Sequence, residues 1–419
     1  MHHGEICGRD VATGQPLRVK WSEGVITETT PAPDAPADTW LAPTLLDLQI
    51  NGYGGVDFQR DDHLTESLLL SAARQLRRDG CGRFFFTLIT DEWPKLMARV
   101  QRARAIREAN PELRAALAGW HIEGPFLSPE VGFKGAHNAA VMRDATEADL
   151  RELRAVTGRD PVLLTLAPER GGSLEAIRCA ASLGLVVSLG HTNASADTIR
   201  AAVAAGARGF THLGNGIPQQ LDRHDNILWR VFDTPGLMPS LIPDTHHVSP
   251  ILFRHMHRAL PPEQIYYTTD AMSAAGAPPG RYTIGTIELE VGADQIVRQP
   301  GKPNFAGSAL RPIDGITRAA AMLGKSWREV WPHFSQHPAQ LMGLRNEIAV
   351  GQPADFCVVA TGADGRVRSA RRVFHRSDIV TDTGTNTSTT TSAKRMRAIC
   401  TKSRASITAD GSRLISASN

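Results

Sequence analysis

Residues 65–90 read TESLLLSAARQLRRDGCGRFFFTLIT: an amphipathic stretch at helical spacing, then a short apolar run with strand character. The same pair recurs outward along the chain. WPKLMARVQRARAIREA precedes LAGWHIEG, ATEADLRELRAV precedes VLLTLAPE, SLEAIRCAASLG precedes LVVSLGH, and ADTIRAAVAAG precedes RGFTHLG. MPSLIPD, SPILFRHMHRAL and QIYYTTDA complete the series. With LLDLQIN at 45–51 placed first, the alternation gives eight strands over roughly 230 residues. That count and length predict an α/β chain folded as a (β/α)8 TIM-type barrel rather than an open doubly wound sheet.

The remainder arranges itself around the barrel. GRYTIGTIELEVGADQIVRQPGKPN, after the eighth strand, reads as a β-hairpin insertion, and helices are predicted around PIDGITRAAAMLG and SWREVWPHFSQHPAQLMG. The first 42 residues hold short alternating runs and a Pro-rich stretch, strands too few to close a core alone. Their expected partner is EIAVGQPADFCVVATGADGRVRSARRVF, so residues 1–42 and 345–375 are predicted to form a small β-sandwich beside a catalytic barrel at 43–344. Residues 381–419, rich in Thr and Ser and low in bulky apolar side chains, are expected to be a disordered tail.

Charge and cysteine usage exclude several classes of function. Lys and Arg number 46 against 43 Asp and Glu, but six basic and two acidic residues sit in the tail, leaving 40 against 41 elsewhere. No nucleic-acid footprint is implied. Cys7, Cys81, Cys179, Cys357 and Cys400 are scattered and form no CxxC pair, which argues against a disulfide framework or thiolate zinc site and for a reducing cytoplasm. The N-terminus shows no signal pattern and no apolar run approaches the ~18 residues of a membrane span, so a soluble chain with no membrane partner is expected.

In such a barrel, reactive side chains belong at the C-terminal strand ends. Those ends carry Gln49 and Asn51, then Glu123, Glu169, His191, His212, Asp244 with His247, and Asp270. Any one of these reads as readily as a satisfied core or loop residue. Two histidines with one or two carboxylates converging from separate strands instead suit zinc or a similar divalent ion. Three protein ligands leave a position for water, whose pKa zinc lowers to roughly 7, so hydrolysis is the natural chemistry. Asp270, closing strand eight, is placed to accept the water's proton and pass it to a leaving amine; its bland alternative is a helix N-cap or turn aspartate.

LDLQINGYGGVDF, GWHIEGPFLSPEVGFKGAHN, SLGHTNAS, FTHLGNGI and TTDAMSAAG resemble, in order, the motif blocks of the N-acetylglucosamine-6-phosphate deacetylases, over roughly residues 41–360. The resemblance implies removal of acetate from the 2-amino group of a small-molecule sugar phosphate in amino-sugar catabolism. It carries the metal ligands onto Glu123, His191 and His212 and the catalytic carboxylate onto Asp270, all within the strand-end set. It further implies substrate contacts at Ala136, His137, Asn215, Gly216, His247, Ala306 and Gly307. His137 would polarise the acetyl carbonyl, and Arg223 would clamp the phosphate. A homodimer is implied too, with Arg223 acting across the interface.

Four features depart from the pattern. Gln49 and Asn51 stand where many amidohydrolases have an HxH pair, which predicts one divalent metal ion, zinc, rather than two. The stretch PQQLDRHDNILWRVFD is longer and richer in His and Arg than usual, Thr245-His246 replaces a smaller, more apolar pair, and Gly216 is smaller than its counterpart. These bear on the sugar-phosphate side, so a related acetamido sugar phosphate, a cyclic amide or a deaminase substrate remains open. A non-catalytic sugar-phosphate sensor is the third reading, against which the intact set Glu123, His191, His212 and Asp270 stands.

Overall fold

Eight strands run parallel, each hydrogen-bonded to its sequence neighbours: β1 Leu45–Ile50, β2 Cys81–Ile89, β3 Leu117–Glu123, β4 Val162–Leu166, β5 Val186–Leu189, β6 Ala207–Phe210, β7 Met238–Leu241 and β8 Tyr266–Tyr267. The structure is a computed structural model and describes residues 3–301 and 305–373; the predicted disordered tail, 381–419, lies outside these. The opening stretch behaves as read. Thr65 caps a helix at Glu66–Arg78 by accepting from the Leu68 N–H, and Leu69, Ala72, Ala73 and Leu76 form its buried face.

The seam between β8 and β1 closes through one buried carboxylate. Ile50 bridges Ala271, and the Asn51 N–H donates to the Ala271 carbonyl at 2.7 Å. Below that, Asp47 accepts from Thr268 Oγ1 at 2.5 Å, Thr269 N–H at 3.0 Å and Thr269 Oγ1 at 2.6 Å. The fold is therefore a (β/α)8 barrel, as the alternation predicts.

Period-two alternation divides each strand between two environments. On β1, Leu46 and Leu48 pack outward in a cluster with Leu341 and Met342, whereas Asp47 and Gln49 make the polar contacts of the interior. Inside, His121 Nε2 lies 2.8 Å from Thr165 Oγ1, which lies 2.7 Å from Thr211 Oγ1, which is 2.7 Å from Ser188 Oγ. Buried hydroxyls satisfy one another beneath the barrel mouth.

The insertion after β8 is a three-stranded antiparallel sheet, Gly280–Ile284, Ile287–Val291 and Val297–Arg298. The helix expected across 326–343 is broken instead into Trp327–Val330, a 3-10 turn at Trp331–Phe334 and Gln336–Leu341. Pro332 and Pro338 supply no backbone N–H to a continuous helix.

Both chain ends enter one six-stranded sheet, ordered Val367–Val373, Phe356–Thr361, Thr39–Pro43, His3–Asp10, Pro16–Ser22, Val25–Pro31. Trp21 and Phe356 belong to strands separated by two others, yet their rings meet edge-on at 5.8 Å. Val19, Ile26, Leu41, Ala354, Phe356 and Val358 form a single cluster. The expected sandwich is thus one sheet curled over its own core. Among the described residues, no helix is long and apolar enough to cross a membrane.

Candidate active site

Glu123 ends β3, and His191 and His212 stand just beyond β5 and β6. All three are buried, and one potential ligand atom from each lies within 4.8 Å of the others. His212 Nε2 is 2.8 Å and His191 Nε2 3.4 Å from Glu123 Oε1. The backbone aims them: His191 has φ 50°, His212 φ 33° and Asp270 φ 52°, left-handed conformations that His and Asp tolerate better than most residues and that tend to cluster at functional sites.

His191 and Glu123 are held from behind, whereas His212 Nδ1 is buried with no hydrogen-bond partner among the described residues. His191 Nδ1 lies 2.8 Å from the Phe133 carbonyl, a contact that orients the ring with Nε2 toward Glu123. Gln49 Nε2 donates to Glu123 Oε2 at 3.0 Å, so one carboxylate oxygen is engaged and the other faces the histidines. Gly216 and Gly135 flank the His191 ring so tightly that a Cβ at either would lie 2.6 Å or 2.8 Å from a ring atom. A buried carboxylate facing two imidazole nitrogens at this spacing is a donor set that fits one divalent cation.

Asp270 is half-buried after β8, and Asn51 Nδ2 donates to its Oδ1 at 2.7 Å. Burial, and then the charge of Glu123, push its carboxyl up to about 8, with the Asn51 hydrogen bond pulling back. Burial alone would raise Glu123 too, but hydrogen bonds from His191 and His212 outweigh it and hold that carboxyl well below its ordinary range. The two carboxyls are driven apart, the pattern by which a site divides metal-binding from proton-transfer work. His137 packs edge-on to His191 at 4.4 Å between centroids, with Nδ1 2.9 Å from Thr90 Oγ1; burial and the neighbouring His191 bring it down to about 3.

Several of the other predicted residues contact the ligand histidines, Asp270 or one another. The Asn215 N–H and Nδ2 both donate to the His212 carbonyl, at 2.9 and 3.2 Å. Ala306 and Ala136 join one apolar cluster with Met272, and a Cβ on Gly307 would touch Met272 and the Asp270 carbonyl. His247 lies 5.2 Å from the Phe305 ring. Arg223 lies on an exposed loop, its Nε donating to His224.

No protein-family model matches the chain. The N-acetylglucosamine-6-phosphate deacetylase of Bos taurus is 34% identical over 336 residues, covering 76% of this chain and 79% of that protein. The chain belongs to the N-acetylglucosamine-6-phosphate deacetylase family. Within the deacetylase family, an N-acetylgalactosamine-6-phosphate deacetylase of Escherichia coli O157:H7 is 30% identical over 331 residues, covering 78% and 85%. Among solved structures, the Mycobacterium smegmatis deacetylase, as an Asp-to-Ala mutant in complex with N-acetyl-D-glucosamine-6-phosphate, aligns with TM-score 0.78 at 26% identity over 88% of this chain and 97% of that one. The 5-methylcytosine deaminase of Klebsiella pneumoniae, at 11% identity and TM-score 0.56, shares the fold alone.

Sequence reasoning flagged Gln49 and Asn51 as departures without seeing that they donate to Glu123 and Asp270. It missed Thr90 and Phe133 altogether; nothing in their local sequence marks a hydroxyl or a carbonyl as the partner of a distant imidazole.

Proposed function

We propose that this chain removes acetate from N-acetylglucosamine 6-phosphate, giving glucosamine 6-phosphate in amino-sugar catabolism. The observation that carries the reading is the convergence of Glu123, His191 and His212, with Asp270 in the same mouth, in a chain of this family. One divalent ion, zinc, fits that donor set; when bound, it supplies Lewis acidity and brings a water's pKa toward roughly 7.

The remaining work falls to the chain. Among the described residues Asp270 Oδ2 takes no hydrogen bond, while Oδ1 is held by Asn51, so one oxygen is available to accept the attacking water's proton and return it to the departing amine. His137, neutral at working pH, donates to the acetyl oxygen as negative charge develops there. Ala136, Asn215, Gly216, His247, Ala306 and Gly307 bound the sugar. Arg223 is assigned to the phosphate, and its exposed loop suits an arm reaching the site of a second copy in a homodimer. Five scattered cysteines with no CxxC pair accord with a cytoplasmic setting.

A second reading, the galactosamine isomer, draws on the Escherichia coli relative and on Thr245-His246 beside His247. Acetate release from both 6-phosphates, beside unphosphorylated N-acetylglucosamine, separates the two. Preference for the gluco 6-phosphate is expected; preference for the galacto isomer would move the substrate and keep the mechanism, and no release from any would overturn the function.

A further inference from the structure

The loop after β7 is built around one carboxylate. Asp244, 5% exposed, accepts the backbone N–H groups of His246 and His247 on Oδ1, each at 2.8 Å. Its other oxygen, Oδ2, lies 2.6 Å from His247 Nδ1. Thr245 between them takes φ 71°, the left-handed kink that folds the chain back onto the carboxylate. The Asp244 carbonyl in turn accepts from Arg318 Nη1 at 3.0 Å, anchoring the turn to the helix at Pro312–Leu323. The His247 ring is thus gripped at Nδ1 and faced by Phe305.

An ionised carboxylate is an acceptor only, so a nitrogen 2.6 Å from it must carry the hydrogen. Burial alone would raise Asp244, but the hydrogen bonds from His247 and from the two backbone N–H groups outweigh it and hold the carboxyl below its ordinary range. Asp244 is therefore ionised at working pH. Among the described residues, His247 Nε2 has no hydrogen-bond partner.

We propose that Asp244 is a positioning residue that fixes His247 in its Nδ1–H tautomer and present orientation, so that Nε2 is the nitrogen offered to the substrate. This rests on the reading of His247 as a substrate-contacting residue of a sugar-phosphate deacetylase. In the neutral ring, Nε2 is an acceptor, which suits a sugar hydroxyl as its donor. Loss of Asp244 would leave the ring free to turn and to move its hydrogen to Nε2, which changes what it can bind without touching the metal ligands.

The test is a double-mutant cycle of Asp244→Asn, His247→Asn and the pair, read as kcat and KM for N-acetylglucosamine 6-phosphate with zinc content measured in each. An asparagine at 244 must set its NH2 against either the backbone N–H pair or His247 Nδ1, so it disfavours the wild-type tautomer. Each single variant is expected to lose about 10-fold or more in kcat/KM, mainly through KM, with zinc content unchanged, and the pair should be no worse than His247→Asn alone. Losses that multiply, or an Asp244→Asn enzyme with wild-type KM, overturn the proposal. Should Asp244→Asn not fold, 15N NMR of the wild-type protein decides it, with the His247 signal assigned by its absence from His247→Asn. In the neutral form of the ring, reached at the alkaline end of a pH series, the hydrogen is expected on Nδ1, and a hydrogen on Nε2 overturns the proposal. If the wild type releases no acetate from any sugar, the functional reading fails separately, and the tautomer alone then judges the dyad.

Discussion

Asp270 and Gln49 carry separable duties at the residue scale. Asp270 is assigned to proton transfer and is not one of the three clustered ligands, so Asp270→Asn should retain one metal ion while losing about 10² to 10⁴ in kcat, the range for acid–base groups. Metal analysis beside steady-state rates checks this, and loss of the metal in that variant would contradict the assignment. Gln49 acts one step back, through its bond to Glu123 Oε2. Replacing it by Leu should weaken zinc binding by about 10- to 100-fold, the usual loss when a ligand's hydrogen-bond partner is removed, with activity restored at high zinc. A competitive chelator titration reads it, and unchanged affinity would mean that Glu123 is oriented without its help. The ligand histidines could be found in the sequence because strand ends are where a barrel concentrates chemistry. Their supports could not, because Gln49 and Glu123 are 74 positions apart and only the closed barrel brings them to 3.0 Å.

At the element scale, the seam between β8 and β1 is the place to probe. β8 itself spans only Tyr266–Tyr267, and much of the closure passes through the Asp47 side chain. Burial raises the Asp47 carboxyl to about 6, against which the hydrogen bonds from Thr268 and Thr269 pull. An unfolded Asp titrates near 3.9. Between about pH 4 and 6 the folded chain therefore holds a proton that the unfolded chain has released, and this group's contribution to stability falls as pH rises through that window. The loss is bounded at about 3 kcal/mol, because each tenfold change in proton affinity between the folded and unfolded chain is worth ~1.4 kcal/mol. Thermal unfolding across about pH 4 to 6.5 should show a downward component in the wild type that is absent from Asp47→Asn; parallel curves would contradict it. The short β8 and the broken helix at 326–343 were the least legible elements. In the first, side-chain bonds do the work of a ladder, and in the second, aromatic and apolar residues conceal two prolines that interrupt the helix.

Across the whole molecule, the eightfold alternation and the meeting of the chain ends were both readable, because periodicity records which faces are buried and two half-sheets each lack a partner. That the end sheet curls on itself was not readable, since Trp21 and Phe356 meet across 335 positions of chain through a register that no local pattern encodes. Membership of the deacetylase family and the barrel architecture fit one centre at the strand ends, with Gln49 and Asn51 already engaged to Glu123 and Asp270 rather than offered to a second ion. The most direct test of that account is to strip the protein with a chelator and follow acetate release from N-acetylglucosamine 6-phosphate as zinc is returned in known amounts. The account predicts negligible activity at the start and a linear rise that levels off at one ion per chain. Activity that survives complete metal removal, or a rise that continues to two ions per chain, would contradict it.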